Sequence, residues 1–449
     1  MASADRTARL ILAGAVAAWA AGFSLLSVER YDAFEAGRFD LGNMVQAVWS
    51  TAHGRPLEVT NLAGQQVSRL GSHVDPILAA FAPLWLAWPS PDALLVAQTV
   101  LIALGAVPVF LLARRHLGSE PTALGFALAY LLLPATEWLS LNEFHPVALA
   151  CPFLLFAFWF LDRDRLLPFA VFAFLSAATR EEVALAVAGF GVWYALARGR
   201  RARGAAIAVL GVAATAIALW VVLPHYRGGG SPYASRYALA NVPDVFDSHH
   251  LGYLADLFLP LAGLWLGAPL VLIAALPELA LNLLSSNRYQ SSIHFHYVAG
   301  ILPPLVAASV LGAGAVARRW PRAALSLGVL AAAAALAANA RLGALPLWTN
   351  LHTKVSAHDR VAEKALRLIP TEAPVSATNT LGAHLSARRR VLSFPKTAGV
   401  TWIAVDEEKL TYLDSNRKRP AREALTQLRH DPHWRVVFAR NGILVFRRR

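Results

Sequence analysis

One cysteine, Cys151, stands among 449 residues, and it lies inside a hydrophobic run. No intrachain disulfide can form, and a cysteine zinc site is excluded. Charge is scarce as well: Asp, Glu, Lys and Arg make up 15% of the chain, against 56% hydrophobic residues and a mean hydropathy of +0.46. That balance excludes an ordinary soluble protein. The sequence also lacks a Walker loop, an HExxH pair, a nucleophile elbow and a dinucleotide fingerprint in a strand–helix context. Use of cytoplasmic ATP through a recognisable site is therefore not expected.

What is present is a series of apolar runs: Leu10 to Val28, Ala93 to Ala113, Ala123 to Leu139, Val147 to Leu161, Ala205 to Leu223, Val298 to Ala317 and Ala323 to Ala338. Each is near the roughly 20 residues that a helix needs to cross a bilayer. The first run follows Arg6 and Arg9 but has no small-x-small cleavage pattern, so it reads as a retained helix. Three further stretches depart from simple spans. Pro76 to Trp88 is short and ends in WPSP, Leu166 to Ala197 is interrupted by TREE, and Leu257 to Leu284 is broken near Gly267, Ala268 and Pro269. Broken helices at membrane depth need shelter from protein or a watery cavity. The expected fold is mainly α, a polytopic membrane protein with about 11 membrane-embedded helices.

Short loops rich in arginine mark the cytoplasmic side. By that rule Arg6 and Arg9, Arg114 and Arg115, Arg163 and Arg165, Arg198 to Arg203, and Arg318 to Arg322 face inward. The N-terminus is then cytoplasmic, and the loops 38–76, 142–146, 225–256 and 285–297 face outward. Residues 1–340 form the membrane domain, with 29–76 as its first outer loop. Residues 341–449 form an extracytoplasmic α/β domain, with helices over 358–369 and 420–428, strands at 375–377, 391–394, 402–405, 436–439 and 443–446, and a hairpin turn at Asn441-Gly442. From Arg341 onward the chain carries 20 Lys and Arg against 9 Asp and Glu, most of the formal excess of +13. Anionic lipid is the nearer partner for this tail, and nucleic acid is not expected.

Candidate chemistry lies in the outward loops. If residues 40–51 are helical, Leu41, Val45, Val48 and Trp49 share one side and Asn43, Gln46 and Ser50 the other, as in a helix lying in the membrane surface. Asp40 at its start is either an N-cap or a catalytic acid. Glu143 and His145, two positions apart in a short polar turn, could share a divalent cation such as Mg or Mn with Asp40 or His73. Alternatively they pair with Arg69 or Arg227. Arg180, beside Glu181 and Glu182, either neutralises itself or holds an anionic lipid phosphate. His294 and His296 read as a metal pair or as headgroup anchors.

The blocks YDAFEAGRFDLGNMVQAVWSTAHGRP, GSHVDPILAAFAPLW, LNEFHPVALACPFLL, ATREEVALAVAGFGVWYAL and IPTEAPVSATNTLGAHLSARRRVLSFP together resemble a bacterial family of multi-spanning membrane proteins known only as a domain of unknown function. More loosely, the chain resembles the GT-C superfamily of membrane glycosyltransferases, which includes protein mannosyltransferases, aminoarabinose transferases and oligosaccharyltransferase catalytic subunits. Asp40 stands where those enzymes carry a loop acid, His73-Val74-Asp75-Pro76 resembles an HPP-like motif, and Asn142 to His145 falls where some have a second acidic motif. Arg180 lies near a basic residue that some use against the lipid phosphate. Two departures stand out: no second acid adjoins Asp40, and His145 replaces a carboxylate.

The resemblance implies a GT-C-like architecture in the bacterial cytoplasmic membrane. It also implies sugar transfer from a polyprenyl-phosphate donor to a glycan, lipid or protein acceptor on the outer face. Asp40 would be the general base, His73, Arg180, Glu181, His294 and His296 would contact substrate, and Glu143 and His145 would serve a metal. The alternatives are a transporter of a lipid-linked glycan, for which broken helices are equally natural, and a non-catalytic lipid-binding protein.

Overall fold

The computed structural model describes residues 2–237, 245–345, 351, 353–415 and 420–449, so the stretch 238–244 of the loop 225–256 lies outside the described residues. Four helices are long and apolar enough to cross a membrane: Asp5–Asp32, Pro91–Leu117, Arg201–Arg227 and Pro321–Leu342. Glu120–Leu132 and Pro134–Leu141 together have the length and apolar composition of a further span or a re-entrant loop, and meet at 48° where Pro134 removes an amide from the helix. Shorter apolar helices, Pro146–Asp162, Leu166–Ala177 and Ala184–Ala197, fill the bundle.

The irregular stretches take the form their sequence foreshadows. Residues 76–87 fold as a 3₁₀ segment, Pro76–Phe81, running into the helix Ala82–Ala87, and Ser90 then caps the helix Pro91–Leu104 by accepting from the Asp92 amide. The TREE residues form the tip between Leu166–Ala177 and Ala184–Ala197. The stretch 257–284 is a chain of 3₁₀ turns around Gly267–Pro269, flanked by the helices Ser248–Phe258 and Leu276–Leu284. Its backbone is sheltered by protein: a Cβ on Gly267 would sit 2.7 Å from Gly312 Cα on the helix Leu302–Arg319.

The first long loop contains a hairpin that the sequence pattern did not reveal, β1 (Glu58–Thr60) paired antiparallel with β2 (Gln66–Ser68). The C-terminal part is a five-stranded sheet made of β3 (Val375–Ala377), β4 (Val391–Ser393), β5 (Trp402–Asp406), β6 (Trp434–Arg440) and β7 (Ile443–Arg448). Its order is β4-β3-β5-β7-β6, parallel across β4, β3 and β5 and antiparallel across β5, β7 and β6. Asn441 and Gly442, both with positive φ, close the last hairpin as expected. One sheet face packs on Val361, Ala365, Leu381 and Phe34, and the other on Leu425 and Leu428. Phe34 comes from just past the first membrane helix, so the sheet's core begins in the membrane domain.

That docking corrects the expectation for residues 40–51. The helix Asn43–Ala52 does bury Val45, Val48 and Trp49, but Gln46 and Ser50 are 1% exposed as well. Gln46 Nε2 donates to the carbonyls of Arg388 and Arg389, each at 3.0 Å, and its Oε1 accepts from the Thr60 amide. The polar side of this helix is where the sheet domain sits, not a face turned to water or headgroups.

Candidate functional site

Asp40 lies in a five-residue π-turn, Arg38–Gly42, that runs directly into the helix Asn43–Ala52. It caps nothing. The free amides at this helix start are met by Glu143, whose carboxyl accepts from Leu41 N at 2.8 Å and from Gly37 N at 3.2 Å. A carboxylate there satisfies donors that a helix start leaves open. It also holds Glu143 itself at a positive φ of 52°. Burial, with the Asp40 charge adding to it, pushes Glu143 up to about 8 against the pull of the two amides.

Relieved of capping, the Asp40 side chain stays 53% exposed, with Oδ1 3.5 Å from His145 Nε2. The imidazole is oriented from behind, since Nδ1 lies 2.7 Å from Asn142 O, a carbonyl that can only accept. Nε2 therefore carries a proton only when the ring is charged, and a neutral ring turns a lone pair toward Asp40. Burial raises Asp40, but the His145 contact and the charge of Arg69 outweigh it and hold Asp40 below its ordinary value. His145 also stacks on His296, centroids 3.8 Å apart, and His296 Nδ1 lies 3.0 Å from Asn142 Oδ1. Asn142 thus fixes both rings.

The other expected residues assemble alongside. His73 Nδ1 lies 2.9 Å from Glu181 Oε1, and the Val74 amide donates to Glu181 Oε2 at 2.9 Å, tying the first loop to the TREE tip. Burial lowers His73 to about 4, so its neutral ring donates to Glu181. Arg180 Nε lies 2.9 Å from Glu182, and its guanidinium sits over the Tyr297 ring at 5.6 Å. Its two terminal nitrogens make no hydrogen bond to a described residue. Arg69 binds Asp75 at 2.9 Å rather than Glu143. His294 departs from the group: it is exposed, hydrogen-bonds Ser292 and packs on Trp138. The alternating histidines thus do not share a partner.

Nor does the donor set expected for a divalent cation gather. Glu143 faces backbone amides, His145 Nδ1 faces a carbonyl, and among the described residues no three His, Cys, Asp or Glu side chains could hold an ion together. The Asp40–His145 pair, by contrast, sets a carboxylate and an imidazole within reach of a shared proton.

Two residues escaped the sequence reading. Gln98 Nε2 donates to the carbonyls of Ser140 and Glu143 while Oε1 accepts from the His145 amide at 2.8 Å, so it sets the 142–145 turn from within a membrane helix. An isolated amide in the apolar run Ala93 to Ala113 was the available signal. Arg38 is 3% exposed and reaches Ser393 Oγ at 2.6 Å, Val391 O at 2.7 Å and Thr60 O at 2.9 Å, fastening the Asp40 turn to β4 and β1. Its partners are far away in sequence, and no local pattern marks them.

None of the curated proteins compared with the sequence matches it. Among solved structures the fold is similar to that of ArnT from Cupriavidus metallidurans, a GT-C glycosyltransferase crystallised with undecaprenyl phosphate. The TM-score is 0.58 at 13% identity, covering 96% of this chain and 98% of that one. The architecture is therefore GT-C-like, as the sequence suggested. Residues 30–445 match the model of the family described as predicted membrane protein (DUF2079), and the chain belongs to that family.

Proposed function

We propose that this protein is a membrane glycosyltransferase that moves a sugar from a polyprenyl-phosphate donor to an acceptor hydroxyl, with Asp40 as general base. The observation that carries the reading is the setting of Asp40, an accessible carboxylate facing His145 within a ring of buried charged groups. The ring lies on a fold like that of an enzyme solved with undecaprenyl phosphate. In the reaction, the acceptor O–H gives its proton to Asp40 as its oxygen attacks the anomeric carbon. The bond from that carbon to the phosphate oxygen breaks, and the electron pair leaves on the polyprenyl phosphate. Arg180, whose terminal nitrogens make no hydrogen bond to a described residue, holds the departing phosphate. His145 shares the captured proton with Asp40, and His73 and Glu181 hold the first loop against the tip that carries Arg180. His296 keeps the His145 ring in place, so both act by positioning. Arginine-rich short loops elsewhere in the chain support an extracytoplasmic site, where a lipid-linked donor is the available sugar source.

The test is release of polyprenyl phosphate from a polyprenyl-phosphate sugar by the purified chain. Asp40→Asn should reduce turnover about 10²- to 10⁴-fold while leaving the protein monodisperse. Wild-type turnover by that variant would remove Asp40 from the mechanism.

A further inference from the structure

The far end of the bundle holds a cavity unrelated to the Asp40 site. The helix Pro146–Asp162 separates the two regions by roughly 25 Å, with His145 preceding its first residue and Asp162 ending it. The far cavity measures about 480 Å³ and lies where the 3₁₀ turn at Gly267–Pro269 meets the ends of four helices. That volume falls within the range of sites that take small ligands.

Its wall is apolar, made by Trp193, Leu270 and Leu311, and its rim carries Arg198, Arg318 and His116. Asp162 also lines it, with Oδ2 held by neighbouring cations and Oδ1 without a hydrogen-bond partner among the described residues. Asp162 Oδ2 lies 2.8 Å from Arg115 Nε and 3.0 Å from His116 Nε2. The two arginines are less well matched. Arg198 reaches the Asp162 carbonyl at 3.1 Å, its contact with a helix end, and its carboxylate neighbour Asp164 is 3.8 Å away. Arg318 is exposed and has no carboxylate within 4.0 Å among the described residues. A hollow with a greasy wall and two under-matched guanidinium groups, set where membrane helices end, suits a phosphodiester with acyl chains attached. Basic pockets between membrane helices take anionic lipid headgroups in this way.

We infer that this cavity is a binding site for the phosphate of an anionic phospholipid, held by Arg198 and Arg318 with its glycerol and first methylenes against Trp193, Leu270 and Leu311. The inference stands on its own and does not depend on the glycosyltransferase reading.

Native mass spectrometry of the full chain, delipidated in detergent and titrated with phosphatidylglycerol or phosphatidylcholine, tests it. Phosphatidylglycerol should be retained on the order of tenfold more strongly, and Arg198→Gln/Arg318→Gln should abolish the preference. The control Arg319→Gln/Arg322→Gln, which removes two charges at the same end outside the cavity, should leave it intact. Leu270→Trp should weaken retention with every charge kept, as the cavity fills. Competition with inorganic phosphate separates the sources: displacement of the lipid by phosphate alone supports the shared anion chemistry with a free anion as ligand. Resistance to it supports the lipid. Equal retention by the Arg198/Arg318 variant, or equal loss in the Arg319/Arg322 control, would overturn the proposal.

Discussion

Arg38→Lys is the sharpest probe of how the Asp40 turn is held. Burial lowers the Arg38 guanidinium to about 10, so it stays charged at neutral pH although no carboxylate among the described residues pairs with it. Its charge is met by Ser393 Oγ, Val391 O and Thr60 O, on two strands that only a planar fork can bridge. A lysine keeps the charge but can retain about one of these bonds. Losing two charge-assisted hydrogen bonds, each contributing about 1.5–3 kcal/mol, and recovering some hydration gives a local cost of about 3 kcal/mol. Hydrogen exchange followed by mass spectrometry should then show residues 37–42 and 391–393 opening roughly a hundredfold more often, in step. Unchanged exchange in both segments would refute the argument. So would a change confined to β4, which would show that the turn is held by Glu143 alone.

Further expectations follow from the same contacts. In His145→Ala, burial is no longer opposed by the nearest partner of Asp40, so the Asp40 carboxyl rises. The base works only when ionised, hence the acid limb of the pH–rate profile should move to higher pH, whereas the wild type keeps turning over below the usual carboxylate range; an unmoved limb would exclude the coupling. Gly204→Val should prevent the helices Ala184–Ala197 and Arg201–Ile217 from packing, because even a Cβ would sit 2.5 Å from Gly191 O and Ala195 N, and size-exclusion chromatography should show aggregate. Asn339→Leu removes donations to Glu137 Oε1 at 2.6 Å and Leu132 O at 2.9 Å, leaving Glu137 to the backbone amides of Ala344 and Leu345. It should lower stability by about 2–4 kcal/mol, read as an earlier thermal unfolding transition in detergent.

The membrane helices were legible because apolar length is a local property, and so were the interruptions, since proline, glycine and charge clusters act where they stand. The strands of the C-terminal sheet and the Asn441-Gly442 turn were legible for the same reason. Which polar loops meet was also readable, through the arginine pattern that sorts loops between the two ends. What each polar group does once there was not. Asp40 and Glu143 offered themselves as cap and ligand, and the structure gives the capping to Glu143, 102 residues from the Leu41 amide it accepts from. Gln46 looked solvated because its cover, the segment around Arg388 and Arg389, lies more than 330 residues downstream.

That long-range cover changes what the C-terminal domain can be. A detached module for choosing acceptors would leave the Asp40 turn complete without it. Here the turn is fitted to the domain atom by atom. A Cβ on Gly37 would lie 2.8 Å from Asn379 Nδ2, and one on Gly42 2.6 Å from Ser386 Oγ, while His384 is stacked between Tyr31 and Phe34 at 4.0 and 3.9 Å. Glycine at 37 and 42 is what allows the two backbones to approach so closely. Removing the domain would strip Arg38 of its Val391 and Ser393 acceptors and expose the polar side of the helix Asn43–Ala52. The sheet is therefore one wall of the Asp40 turn.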